Sequence, residues 1–143
     1  MKYERPSAVE ALLNRFIGLL ARAGIGPRYN VLLQVRGRTS GRVYSTPVNV
    51  LELKGARYLV APRGQTQWAR NALASGEVTL VRAFRGETVK VQPVADAAKP
   101  EILKTYLDRF ASQVRRFFPV PAGSPADAFR PLAADYPVFE IKN

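Results

Sequence analysis

The sequence has 143 residues, which suits one domain (residues 1–143), and 22 Lys and Arg against 11 Asp and Glu give a formal net charge of +11. Apolar residues make up 47% of the chain, enough for a globular core and too many for a disordered protein. Cysteine and histidine are absent, which excludes disulfides, thiolate or imidazole metal sites and histidine bases.

The first predicted element is an amphipathic helix within residues 1–26. Ser7 and Glu10 have the spacing of a capping box, and Gly24 with Pro27 predicts the end of the helix. The apolar side chains that share one face are Val9, Leu12, Leu13, Phe16, Ile17 and Leu20. This face either closes one end of the core or lies on an anionic lipid surface.

Short strands follow the helix, and most of them are joined by hairpin turns. The predicted strands are Tyr29–Arg36, Val43–Leu53, Arg57–Ala61, Glu77–Phe84, Glu87–Ala95 and Tyr136–Ile141. Lys54-Gly55 and Arg85-Gly86 predict tight turns, and Pro47 indicates an edge position or a bulge.

Two further helices are predicted between the strands. Thr66–Ala74 is short, whereas Asp96–Phe118 is long and has Asp96 as its N-cap. The apolar stripe of the long helix consists of Leu103, Tyr106, Leu107, Phe110, Val114 and Phe117, and it predicts core packing. Six strands at hairpin spacing with peripheral helices predict an α+β, mainly β domain built on a small antiparallel barrel.

The positive charge is concentrated in the first half of the chain. Between Ala11 and Gly76, ten Lys or Arg residues stand against a single acid, Glu52. Such a segment predicts a positive field that attracts nucleic acid, an anionic membrane surface or a small molecule with phosphate or carboxylate groups. Nucleic acid is disfavoured, because no RNP-type or KH-type motif is present.

The sequence predicts a cytoplasmic location. No run of 18 apolar residues predicts a membrane span, and Met1–Pro6 does not have the layout of a signal peptide. A peripheral position at the inner membrane face follows if the first helix lies on lipid.

Two glycine-containing loops are the candidate binding segments. Arg36–Arg42 offers backbone N–H groups, hydroxyls and guanidinium groups that suit a phosphate or carboxylate, although an exposed basic hairpin loop has the same composition. Ala61–Asn71 connects a strand to a helix start, which also favours an anion. Trp68 within it is either a core anchor or part of a pocket.

These motifs, taken in order, resemble those of a known family. The matching segments are Leu32–Gly41, Thr46–Val48, Arg63-Gly64, Trp68–Asn71 and Tyr136–Phe139. Over about residues 7–141 the chain resembles the deazaflavin-dependent nitroreductase family, oxidoreductases of the split β-barrel fold that use the deazaflavin coenzyme F420.

The resemblance implies a split β-barrel of the FMN-binding type. It also implies hydride transfer from the reduced coenzyme to a small hydrophobic acceptor such as a quinone, an enone or a nitro compound. Such a reaction needs no histidine, because the coenzyme carries the difficult step. Two alternatives remain, an FMN-dependent reductase of the same fold and a basic module that binds nucleic acid or a membrane surface without catalysis.

The resemblance further implies roles for particular residues: the two loops hold the phosphate and acidic tail of the coenzyme, and the groove of the barrel holds its ring. The implied coenzyme-binding residues are Arg36, Arg38, Thr39, Ser40, Gly41, Arg42, Pro47, Ala61, Pro62, Arg63, Gly64, Trp68 and Asn71. A proton is expected from water or from a phenol, and the candidate phenols are Tyr44, Tyr106 and Tyr136.

Overall fold

The structure, a computed structural model, describes residues 7–142. The helices and strands in chain order are α1 (Ala8–Arg22), β1 (Asn30–Arg36), β2 (Val43–Leu53), β3 (Ala56–Val60), α2 (Gln67–Ser75), β4 (Glu77–Arg82), β5 (Arg85–Pro93), α3 (Lys99–Val114) and β6 (Val138–Lys142). Met1–Pro6, which entered the expectation about a signal peptide and the start of the first helix, lie outside the described residues.

The six strands form a closed antiparallel barrel in the order β1-β2-β3-β6-β5-β4, with β4 pairing back to β1. The predicted barrel is therefore confirmed. The turn between β2 and β3 is also confirmed, since Lys54 and Gly55 have φ angles of 52° and 80°. A two-residue hairpin turn of this type needs a positive φ at both positions.

Alternating side chains of the strands fill the inside of the barrel. Val31, Leu33 and Val35 of β1 are buried there, and Val89 and Val91 of β5 meet the same core. Leu32 on the outer face of β1 is buried as well, because α1 covers it there and a Cβ on Gly18 would lie 3.0 Å from Leu32 Cδ1.

A second core lies between the barrel and α3. The predicted apolar stripe of the long helix is buried, from Leu103 to Phe117. The helix is shorter than predicted, because Phe110 leaves helical geometry and a 3-10 turn replaces α-helix from Arg115 onward. Asp96 makes no N-cap hydrogen bond, so that prediction is wrong; its carboxylate instead pairs with buried Lys99 at 2.8 Å.

A 3-10 segment over Ala126–Asp135 was not predicted from the sequence. It packs on α3 through buried Phe129, and the carbonyl of Ala133 accepts a hydrogen bond from Lys99 Nζ at 3.0 Å. This segment leads the chain from α3 back to the barrel at β6.

Helix α1 does not pack as expected if its apolar face closed one end of the core. Its N-cap is Ser7, as predicted, but Val9, Leu12 and Phe16 are 77%, 67% and 58% exposed. The helix contacts the barrel through its buried residues Gly18 and Ala21. The expectation that the apolar stripe closes the core is therefore wrong for most of its members. Within residues 7–142, no helix is long and apolar enough to cross a bilayer.

The hairpin turn between β4 and β5 lies two residues earlier than predicted. Ala83 and Phe84 are the turn residues, with φ angles of 51° and 59°. Arg85 and Gly86 instead pair with β4. The space at Gly86 is tight, since a Cβ there would lie 3.2 Å from Thr79 Cγ2. The glycine that suggested the turn therefore serves a close strand contact.

The barrel is split along β2. Strand β3 pairs only with Val50–Leu53 of β2, so that within the described chain residues 43–49 pair with β1 alone. Pro47 lies in this half, opposite Leu32, which confirms the predicted edge position because proline has no N–H to donate to a further strand.

The turn between β4 and β5 supplies a stability prediction. Phe84→Gly should raise the free energy of unfolding by about 0.5–1 kcal/mol, because the left-handed conformation is unfavourable for a side chain with a Cβ and Phe84 is 73% exposed. Urea denaturation would measure the change. Phe84→Ala, which keeps the Cβ, should be close to neutral, and a larger stability for the alanine variant would contradict the argument.

Candidate functional site

The hairpin loop between β1 and β2 is held by its own backbone. Gly37 donates an N–H bond to Arg42 O at 2.6 Å, and Gly41 donates one back to Gly37 O at 3.2 Å. Position 37 needs glycine, since a Cβ there would lie 2.7 Å from both Ser40 Oγ and Tyr44 Cε2. Arg36 Nη1 donates to Gly41 O at 2.8 Å, so this guanidinium supports the loop.

The second loop leads from β3 into α2. Its residue Thr66 is the N-cap of α2 and accepts a hydrogen bond from Ala69 N. Half-buried Trp68 packs against the barrel core, with its ring centroid 6.0 Å from that of Phe139. Both readings of Trp68 therefore apply, because it is a core anchor and also lines the cavity described below.

Arg38 and Asn71 join the two loops. The buried Asn71 Oδ1 accepts a hydrogen bond from Arg38 N at 3.1 Å and another from Arg38 Nη1 at 2.7 Å. The same Nη1 also donates to Gln67 Oε1 at 3.0 Å. The tip of the hairpin is therefore anchored on α2, and the Arg38 side chain is oriented by the helix.

The two loops and α1 border one cavity of about 850 Å³. The predicted site residues that line it are Arg38, Thr39, Ser40, Tyr44, Pro47, Pro62, Arg63, Trp68, Asn71 and Tyr106. The predicted residues that are absent from its wall are Arg36, Gly41, Arg42, Ala61, Gly64 and Tyr136. Of these, Ala61 lies in the barrel core, and Arg36 and Gly41 support the loop.

The three candidate phenols lie in different surroundings. Tyr44 is 49% exposed at the cavity, and its hydroxyl is 3.2 Å from Ser40 Oγ. Tyr106 lines the cavity from α3, and burial raises the pKa of its phenol well above the usual value. Tyr136 is buried outside the cavity, stacks on Phe118 at 4.5 Å and donates its hydroxyl hydrogen to Phe117 O.

Sequence reasoning missed one end of the cavity. There Glu10 of α1 accepts hydrogen bonds from Arg63 Nη2 at 2.5 Å and from Arg116 Nη2. Phe117 contacts both guanidinium groups. Glu10 lies more than 50 positions from both arginines, and no local sequence pattern predicts its contacts with them. The pair of guanidinium groups holds the pKa of the Glu10 carboxyl down at about 2, so the group is ionised at neutral pH.

A sequence model of the F420H(2)-dependent quinone reductase family matches residues 18–117. The chain belongs to this family. It is therefore an F420H(2)-dependent reductase, and the resemblance to deazaflavin-dependent enzymes is confirmed. The comparisons give no support to FMN as the cofactor or to nucleic acid as a partner. No curated protein matches the sequence significantly.

Solved structures support the split-barrel fold. An F420-H2 dependent reductase (FDR-A) is 16% identical with a TM-score of 0.52, over 80% of this chain and 95% of that one. A putative pyridoxamine 5'-phosphate oxidase from Listeria innocua is 10% identical with a TM-score of 0.53, over 87% and 89%. A nimc/nima family protein from Clostridium acetobutylicum is 13% identical with a TM-score of 0.55, over 80% and 73%.

The cavity suits the coenzyme that this family uses. Its volume lies within the range of about 300–1,000 Å³ that is common for ligand sites. Arg38, Arg63 and Arg116 supply positive charge for an acidic tail, and Pro47 with Trp68 supplies apolar wall for a flat ring. The residues present therefore fit the group.

The Arg38–Asn71 contact supplies a second stability prediction. Asn71→Ala should lower the free energy of unfolding by about 1–3 kcal/mol, because it leaves two donors of Arg38 without their buried acceptor. Urea denaturation would measure the loss. Gln67→Ala removes only an exposed acceptor of the same guanidinium and should change stability by less than about 0.5 kcal/mol. Equal losses in both variants would contradict the anchoring role of Asn71.

Proposed function

We propose that this protein binds reduced F420 in the cavity between the two loops and transfers its hydride to a small hydrophobic acceptor of the quinone type. The supporting observation is that both glycine loops border one cavity with arginines at its ends and apolar residues along its wall. Enones and nitro compounds, which are also electron-poor, are the further acceptors to test. When bound, the reduced deazaflavin supplies the hydride.

The hairpin loop is proposed to hold the phosphate and acidic tail. Arg38, Thr39 and Ser40 line this end of the cavity and carry a guanidinium and two hydroxyls that donate to anionic oxygens. Asn71 and Gln67 occupy one nitrogen of the Arg38 guanidinium and thereby orient the others. Charge-assisted hydrogen bonds contribute about 1.5–3 kcal/mol each, so a few of them account for micromolar binding.

The apolar wall is proposed to hold the ring and the acceptor against each other. Pro47 and Pro62 line the cavity together with Trp68, and Leu13 and Ile17 of α1 line it as well. These side chains reduce contact with water around the reacting atoms, which favours close approach of two flat molecules. An acceptor without charge fits such a wall.

Tyr44 is proposed to deliver the proton that the acceptor needs after hydride transfer. It combines access to the cavity with a hydroxyl that Ser40 orients. Tyr106 is a weaker acid than a free phenol because burial raises its pKa. Tyr136 is not in the cavity wall, and its hydroxyl donates a hydrogen bond to the backbone carbonyl of Phe117.

The assignment of Arg38 predicts a loss of binding. Arg38→Ala should weaken F420 binding about 10- to 100-fold, because one or two charge-assisted hydrogen bonds are removed. Fluorescence titration with F420 measures the affinity, and FMN serves as the comparison ligand. Arg42→Ala, which removes the same charge from the same loop outside the cavity wall, should stay within about twofold. Equal effects of the two substitutions would refute the assignment.

The assignment of Tyr44 predicts a loss of rate with unchanged coenzyme affinity. Tyr44→Phe should lower kcat for a naphthoquinone about tenfold or more, since the proton must then come from water. Steady-state kinetics and an F420 titration measure the two quantities. Tyr58→Phe is the matched control, because Tyr58 packs on the second core away from the cavity. If kcat is unaltered in Tyr44→Phe, Tyr44 is not the proton donor and the proton comes from water.

We further propose that α1 lies on an anionic membrane surface, where quinones are concentrated. Its apolar residues Leu12, Phe16 and Leu19 are exposed, and Arg15 and Arg22 on the same helix can contact lipid headgroups. An exposed apolar face of this extent beside basic residues is typical of helices that bind in the headgroup region.

This membrane proposal predicts sedimentation with vesicles. Phe16→Ser should reduce the affinity for phosphatidylglycerol vesicles about tenfold or more, because burying a phenyl ring contributes about 1.5–3 kcal/mol. Leu73→Ser on α2 is the matched control, since Leu73 and Phe16 are 59% and 58% exposed. If both variants pellet like the parent protein, α1 is not the lipid-binding element.

A further inference from the structure

Glu10 connects three separate parts of the chain at one end of the cavity. Its carboxylate accepts hydrogen bonds from Arg63, which follows β3, and from Arg116, which follows α3. Glu10 itself belongs to the first turn of α1. The side chain of Arg63 is only 18% exposed and that of Glu10 30%, so the Arg63 contact is partly shielded from water.

Phe117 holds the two guanidinium groups close together. The Cζ atoms of Arg63 and Arg116 lie 4.5 Å and 4.6 Å from the centroid of its ring. Two positive groups on one ring repel each other, and an anion that binds both offsets this repulsion. This end of the cavity is therefore built to hold an anion, and Glu10 occupies that position.

Glu10 is unusual for its location. Among the described residues that line the cavity it is the one carboxylate, whereas Arg38, Arg63 and Arg116 are basic. The segment that follows it, Ala11–Leu51, contains no acid at all. The lining would be suited to an anionic ligand throughout if this side chain were neutral.

The same contact positions the part of α1 that covers the cavity. Leu13, Asn14 and Ile17 follow Glu10 at helical spacing and line the cavity on the same face of the helix. Further along, Gly18 packs on β1 and β2 near Leu32 and Pro47. The first turns of α1 are thus held over the cavity by the Glu10 carboxylate, and its later turns are held by the barrel.

We propose that Glu10 is an internal anion that a further acidic group of the ligand's tail, beyond the groups held by the hairpin loop, replaces on Arg63 and Arg116. The idea rests on the proposed function, in which the ligand is a deazaflavin with an acidic tail. Glu10 then determines selectivity by the charge of the ligand. A tailed deazaflavin displaces the carboxylate and frees the first turns of α1, whereas a deazaflavin without a tail leaves the contact intact.

The test compares two ligands with two variants. The ligands are F420 and a truncated deazaflavin that lacks the phosphate and glutamyl tail. Glu10→Gln removes the competing charge and should tighten F420 binding about tenfold while leaving the truncated ligand within about twofold. Glu87→Gln is the matched control, because Glu87 pairs with Arg57 at 3.1 Å outside the cavity wall and its loss changes the net charge equally.

Hydrogen exchange of the wild-type protein supplies a second readout. Amides in the first two turns of α1 should exchange faster with F420 bound than with the truncated ligand bound, since only F420 removes the Glu10 contact. Thermal melting of both variants verifies that they are folded. Equal or slower exchange with F420 bound would mean that the contact persists and would overturn the displacement.

The outcomes separate the two proposals. If neither deazaflavin binds the wild-type protein, the proposed function fails, and the role of Glu10 fails with it. If both bind but Glu10→Gln changes neither affinity, or changes both equally, only the displacement by the tail is wrong. Weaker F420 binding in Glu10→Gln would show that the carboxylate positions the arginines for the ligand, and would also overturn the proposal.

Discussion

The hydrogen bonds from Arg38 to Asn71 are the contact on which the cavity depends. They tie a hairpin tip between β1 and β2 to a helix that begins after β3, and their acceptor is buried. Without this tie, the hairpin tip would be an exposed basic loop, which is what its composition alone also suggests. Because one amide oxygen binds both the backbone and the side chain of Arg38, the loop and its charge are oriented together. The shape of the cavity therefore depends on the hydrogen bonds that join the two loops.

Local signals in the sequence predicted the parts that local physics controls. Ser7 caps the first helix, the second helix begins within one residue of its predicted start at Thr66, and Lys54-Gly55 forms its turn. Each of these features depends on a few neighbouring residues. The turn between β4 and β5 was predicted two residues too late, because glycine occurs both in turns and where strands approach closely. At Gly86 the close contact is with a neighbouring strand, and it depends on how the sheet is paired. Contacts between residues that are distant in the sequence cannot be predicted from single residues in this way.

In the cavity, too, local features were predicted from the sequence and contacts between distant residues were not. The sequence indicated the two loops and ten of the residues that line the wall, and the excess of arginine indicated an anion. Glu10 is separated by 53 positions from Arg63 and by 106 from Arg116, and no residue near them in the sequence indicates that they are in contact. The exposure of α1 was also hidden, since an apolar stripe reads the same whether it meets a barrel, a lipid or water.

The placement of Pro47 has a consequence for the behaviour of the protein in a crowded cell. The half of β2 that contains it has an open side, and an open strand edge is a template on which a second chain could add a strand and start aggregation. Proline interrupts the row of donors that such an addition needs. The strand edge that borders the cavity is thereby a poor template for a second strand, while small molecules still have access to it.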